Sequence, residues 1–220
     1  MDRRTIRLTR RAAVFGIPAL VLAGAGGCAS ALFTPMYVLF GNNIPAECKL
    51  LKSSKVAVVC RPNANLQYRN AQVDRDIATA TAAILKTNVS RIKMVDRRKL
   101  ADWLDNNTWE EYAEVGKAMD VDYVLGIDLT RFDLHAGPAL LQGKADLQLQ
   151  LVDVKKGETV FQKDLSNNSY PNNRPVTSSD VGGESVFRQQ FVSILAGRIA
   201  RHFYDADRYD NFAEDSRSIE

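Results

Sequence analysis

Two histidines, three cysteines and a scatter of carboxylates are the side chains of this 220-residue sequence from which a metal centre or an acid–base pair would be assembled. His135 falls in an expected loop and His202 at an expected helix end. Neither has the spacing of a metal ligand or the company of a catalytic triad, and both read as solvated or capping histidines. No C-x-x-C and no Cys/His metal spacing occurs. Gly182-Gly183-Glu184-Ser185 precedes the last expected helix, whose N-terminus favours an anion, but the rest of a phosphate-loop pattern is missing. Asp120 and Asp122 stand two apart without a partner group and read as residues at the start of a strand. The expectation is a chain that is no enzyme, with no catalytic residue, no cofactor and no metal.

The cysteine with a chemical role is Cys28. Arg3, Arg4, Arg7, Arg10 and Arg11 precede an uncharged apolar run that begins at Ala12 and ends in Gly26-Gly27-Cys28. A basic start, an apolar run and small residues before a cleavage point make an export signal. Here the small residues lead into a cysteine, which resembles the lipobox of bacterial lipoproteins; Ala25 stands where Leu is commonest, with Leu22 just upstream. The resemblance implies that residues 1–27 are removed, that Cys28 is diacylated (a palmitate-type anchor), and that everything after it is held at a membrane. By the same resemblance Ala29, in place of Asp, favours the outer membrane over the inner. Two rivals stand beside it: an ordinary cleaved signal with Cys28 an incidental hydrophobe, or one spanning helix from Ala12 to about Phe33, weakened by Pro18. In the lipoprotein and the spanning-helix readings alike the domain lies outside the cytoplasm, because the arginines stay inside.

The signal carries +4 of a formal +3, so the remainder is −1. A near-neutral domain has no electrostatic reason to seek nucleic acid. Residues 28–54 form an apolar tether containing Ala31-Leu32-Phe33 and Met36-Tyr37-Val38-Leu39-Phe40, and no charge falls between Arg11 and Glu47. Such a tether belongs in a bilayer interface, on the domain, or on a neighbouring copy, the last of which would make a homo-oligomer. Cys48 and Cys60 lie twelve apart in an oxidising compartment. A disulfide between them is geometrically open, yet Cys60 closes Val56-Ala57-Val58-Val59 and reads rather as a buried small hydrophobe.

Residues 55–204 hold the α/β domain. Val56 to Cys60 is a short continuous apolar run that suits a buried strand, and Ile92 to Val95 is a second. A helix over Asp74–Val89 places Ile77, Thr81, Ile84 and Leu85 on one face. Asp96 caps a helix over Arg97–Leu104, and Thr108 with Glu111 forms a capping box for the next. Strands follow from Tyr123, Ala145 and Thr159; the strict alternation over Ala145–Leu151 marks an antiparallel strand with one wet face. The final helix, Ser185–Tyr204, presents Phe187, Phe191, Ile194, Leu195, Ile199 and Phe203 as a stripe. The expected architecture is therefore one mixed, mostly antiparallel sheet flanked by helices, with a C-terminal amphipathic helix. Residues 205–220, with six acidic and two basic side chains, read as disordered.

Three segments of this domain carry a resemblance. Met94-Val95-Asp96-Arg97-Arg98-Lys99-Leu100 resembles a V-E-R-x-x-L step, with Asp96 for Glu. Gly116 to Gly126 resembles a G-x-D-Y-x-x-x-G segment one residue shorter, and Leu149 to Glu158 an L-x-L-V-D-x-x-T-G-E hairpin with Lys156 for Thr. Their order, after a lipobox, is that of the superfamily of the curli-secretion pore lipoprotein and the lipoprotein activators of peptidoglycan synthases, which are penicillin-binding-protein activators. The resemblance implies a fold and a place in the cell envelope; it brings no chemical site.

Two functions follow from it: a non-catalytic anchored lipoprotein that binds an envelope protein partner, or one subunit of an oligomeric export pore. A pore needs membrane strands of about 9–11 alternating residues. Of the spare segments, Thr130–Gly143 holds His135-Ala136-Gly137-Pro138 and is too short for two spans, and Ser166–Gly183 has almost no apolar alternation, so the binding protein is preferred. Within the second segment Tyr170 and Arg174 are the residue types that anchor interfaces. Cys28→Ala is expected to abolish acylation and leave the precursor uncleaved; metabolic labelling with a fatty-acid analogue checks this, and equal label in the variant refutes the lipid anchor.

Overall fold

A strand covered on both faces needs a continuous apolar run, and the run Val56–Cys60 lies at the heart of the domain. The structure is a computed structural model describing residues 43–67 and 72–207. In chain order its elements are β1 (Asn43–Ile44), β2 (Lys55–Pro62), the single turn α1 (Ala64–Gln67), α2 (Val73–Asn88), β3 (Lys93–Met94), α3 (Arg97–Asn106), α4 (Tyr112–Met119), β4 (Tyr123–Gly137), β5 (Leu140–Asp153), β6 (Glu158–Tyr170), β7 (Val176–Thr177), α5 (Glu184–Ala200) and β8 (Ala206–Asp207). The main sheet has the order β3-β2-β4-β5-β6, with β7 beside the far end of β5. β2 runs parallel to β3 and β4; the β4-β5-β6 meander is antiparallel.

Successive residues of β2 feed two cores. Val56, Val58 and Cys60 join Val73, Ile77 and Leu85 of α2 and Phe187, Phe191 and Leu195 of α5. Ala57 and Val59 join Leu100 of α3 and Tyr112, Val115 and Met119 of α4. Hence β2 shows no alternation, whereas β6, helix-covered on one side at most, does. Two glycines let the layers close. A Cβ on Gly126 would stand 2.4 Å from the Tyr112 ring, and one on Gly143 2.5 Å from the ring of Phe191. All six residues of the expected C-terminal stripe are buried, but so are Val192, Ala196 and Ala200, and the stripe broadens into a wide buried surface.

Several expectations change. Thr130–Gly143 is not a spare connector: it is the outer half of the β4–β5 hairpin, turning at Pro138-Ala139, with Phe132, Leu134 and Leu141 buried. Ser166–Tyr170 likewise continues β6, opposite Gly143–Ala145. The helix expected from Thr108 begins later, because Glu111 takes the N-cap position and its backbone N–H donates to the Glu114 carboxylate at 3.1 Å. Asp96 caps α3 as expected, accepting from the backbone N–H groups of Arg98 and Lys99. Those bonds, Lys99 first, hold its carboxyl below the usual range.

The domain also starts before Lys55. β1 pairs with β8, Ala46 N–H donates to Asp205 Oδ1 at 2.8 Å, and Cys48 N–H donates to the His202 carbonyl at 2.9 Å. Leu51 is fully buried. Glu47 receives Lys163 Nζ at 2.9 Å and faces His202 Nδ1 at 3.1 Å, with Phe161 against the imidazole. Burial, outweighing the attraction of Glu47, holds His202 below its ordinary pKa.

Two predictions follow from this packing. Phe191→Ala and Leu195→Ala remove fully buried side chains and should each cost about 2–5 kcal/mol in denaturant unfolding. An unchanged midpoint would mean α5 is not docked. Because His202 binds its proton less readily folded than unfolded, its contribution is complete above about pH 6.5 and is lost as pH falls below that value. Melting temperature should drop between pH 7.5 and 5.5, and His202→Gln should flatten that part of the profile.

Candidate binding cleft

Among the described residues, the short β3 leaves most of one edge of β2 without a strand. Lys93 N–H donates to the Ser54 carbonyl at 2.9 Å and Val95 N–H to the Val56 carbonyl at 3.1 Å. Asp96 then caps α3 and the chain leaves the sheet. On the opposite edge Asp122 N–H donates to the Lys55 carbonyl, and the ladder to β4 continues to Pro62 and Leu129. Backbone groups of a strand alternate sides. Those of Val58 and Cys60 therefore point to the β3 side, past the last residue β3 pairs.

A cleft of about 710 Å³ runs along this edge between α2 and α3. Its walls carry the small residues Ala78, Thr79 and Ala82 of α2 and Ala101 of α3. At one end Arg75 and Asp105 form an ion pair from α2 to α3. At the other, Arg97 and Arg98 are exposed on the first turn of α3. Among the described residues they have no hydrogen-bonded partner for their guanidinium groups, and the nearby carboxylate of Asp96 is engaged in capping. Cys60 is buried in the floor, and burial, reinforced by Asp74 and Asp128, pushes its thiol well up.

Where β2 ends, Asp128 of β4 gathers a polar network. Its Oδ1 accepts from Arg61 Nε at 2.9 Å and from the Tyr112 hydroxyl at 2.9 Å, and its Oδ2 from Gln150 Nε2 at 2.8 Å. Arg61 Nη1 donates to the Glu110 carbonyl, and the guanidinium lies 5.5 Å from the Trp109 ring centre and 5.0 Å from that of Tyr112. Burial first, then the Asp128 charge, keeps the Tyr112 phenol protonated far above its usual range. Every member is engaged, so the network stiffens the mouth of the cleft.

The residues singled out in sequence scatter. Cys28 lies outside the described residues, as do the tether's apolar runs. Tyr170 is 4% exposed, its ring stacked on Phe187 with centroids 5.9 Å apart. It is a core residue, unavailable as a surface anchor, because β6 carries it under α5. Arg174 is exposed on the turn after β6. His135 stands in β4 with Nε2 3.5 Å from Glu184, not in a loop. Cys48 and Cys60 are both free and buried. Asp122 does stand at a strand start, accepting from Lys55 N–H and Lys155 Nζ, which hold its carboxyl low. Among the described residues no group of His, Cys, Asp or Glu could hold a metal ion. Sequence reasoning missed the cleft, although its signal was present: a helix cap at Asp96, directly after Val95, stops β3 short of β2's length.

No family model matches the sequence, and no curated protein does. Several solved structures match the chain at low identity. The PelC dodecamer from Paraburkholderia phytofirmans is 12% identical, covers 74% of this chain and 95% of its own, with a TM-score of 0.45. The lipoprotein GNA1162 from Neisseria meningitidis is 14% identical over 67% and 98%, with a TM-score of 0.42. Protein XCC0632 from Xanthomonas campestris is 12% identical over 71% and 88%, with a TM-score of 0.44.

The Gly126 slot sets the position of Tyr112. Gly126→Ala should destabilise the domain by about 1–3 kcal/mol through overpacking. On a Tyr112→Leu background the same change should cost measurably less, since the ring it strikes is gone. Additive costs in denaturant unfolding would contradict the slot.

Proposed function

We propose that this chain is a non-catalytic lipoprotein of the bacterial cell envelope, held by a diacylated Cys28, that binds a protein partner through its folded domain. The observation that carries the location is the run of arginines, apolar residues and Gly26-Gly27-Cys28. Binding is supported by the open cleft beside β2, larger than the voids of a packed interior and rimmed by exposed charge. The resemblance of the Met94–Leu100, Gly116–Gly126 and Leu149–Glu158 segments to the curli-pore and synthase-activator superfamily agrees with an envelope role. The outer membrane is the preferred site, from Ala29. The secretion-pore alternative loses support, because both segments it would need for membrane strands contribute to the sheet of the domain.

Crosslinking in intact envelopes, with mass spectrometry of the captured species, tests the binding role. The wild-type chain should capture a discrete partner, and Cys28→Ala should lose it through mislocalisation. Ala101→Trp, which fills the cleft, should lose capture with the anchor intact, whereas Arg174→Ala should keep it. Loss with Arg174→Ala alone would move the interface to the turn after β6. A species containing only this chain would make the partner a second copy. Conductance from the purified protein in planar bilayers would favour the pore.

A further inference from the structure

We propose that the cleft takes its partner as an extended peptide segment added to β2 as a strand, with an apolar centre and a carboxylate at the end lying over Arg97 and Arg98. The inference rests on the binding role above and specifies how it is performed.

The edge of β2 beyond Val56, which no described strand pairs on the β3 side, supplies the argument. Val58 and Cys60 are only 5% and 9% exposed, and their edge-facing N–H and C=O groups border the cleft. Buried backbone groups are almost always partnered, because leaving them unpaired costs roughly as much as a lost hydrogen bond. No hydrogen bond reaches these four groups from another described residue on the β3 side. A strand laid at the usual spacing of about 4.8 Å would meet all four. The small side chains of Ala78, Thr79, Ala82 and Ala101 leave the walls clear for another backbone.

The walls also dictate the composition of the occupant. Whatever lies beside β2 is covered by α2 on one side and α3 on the other, as β2 is, and so must be apolar on both faces. Charge then sets its ends. Arg97 and Arg98 flank the end near Val56. Asp74, for which the described residues supply no ion-pair partner, flanks the end near Cys60. The other charges near that end are engaged: Arg75 by Asp105, Asp76 by Arg188 and Arg61 by Asp128. A segment with Glu or Asp at one end and Lys at the other is complementary to this polarity. Strand addition of this kind takes affinity from main-chain bonds and specificity from its flanking groups.

The test uses the full anchored chain in detergent and two blocked peptides, Glu-Glu-Val-Val-Val-Thr-Lys and its reverse order. One of the two should bind, and its carbonyls, accepting from the Val58 and Cys60 N–H groups, should protect both from hydrogen exchange. Methylating the peptide nitrogens at every second position should weaken binding by at least about tenfold in one phase and little in the other. Arg97→Glu with Arg98→Glu, both exposed and therefore harmless to folding, should weaken the parent peptide several-fold and spare a Gln-for-Glu version. Binding by neither peptide, equal loss in both methylation phases, or indifference to the arginine changes would each overturn the proposal. If envelope capture persists while the peptides fail, the partner docks elsewhere and the binding role stands. If capture fails while a peptide binds in the stated pattern, the edge is a strand acceptor and the envelope role is what falls.

Discussion

The domain depends on β2 being buried from both faces at once. One apolar run has to satisfy α2 and α5 on one side and α3 and α4 on the other, and it does so by giving alternate residues to each core. That arrangement fixes the parallel register with β4, because Asp122 must meet the N–H of Lys55 just as β4 begins. It also determines where aromatic bulk goes. The rings of Tyr112 and Phe191 approach the sheet only where Gly126 and Gly143 leave out a side chain.

Burial on two faces says nothing about the strand's edges, and there the molecule is asymmetric. One edge is fully paired with β4, while the other has two residues of β3 and then two helices standing apart. Covering an edge with a helix is a common protection against unwanted pairing. In this domain α3 stands near the edge, yet a cleft separates it from α2, with the Arg75–Asp105 pair as a side-chain link from one helix to the other.

Much of this fold was legible because the signals were local. Asp96 as a cap, the turn at Gly157 with its φ of 72°, and the apolar run of β2 each depend on a few neighbouring residues. What stayed hidden depended on distant partners. The outer half of the β4–β5 hairpin alternates only over Phe132–Leu134, and its reason for being a strand is α5, fifty residues on, entering the Gly143 slot. Tyr170 looked like a surface aromatic amid Asn and Ser because nothing nearby in sequence announces Phe187. The cleft itself was implied by the brevity of β3, a signal that acquires meaning only once its neighbour's length is known.

The pairing of β1 with β8 has a mechanical consequence. Tension on the chain before Asn43 would first peel a two-residue antiparallel ribbon, whose bonds open one after another under low force. Beyond it the load meets a cluster that must yield together: Ala46 on Asp205, Glu47 on Lys163 and His202, and Cys48 on the His202 carbonyl. The ribbon is a fuse and the cluster a bolt. A load entering from that side would have to open this cluster before it reached the sheet, α5 and the cleft beside β2.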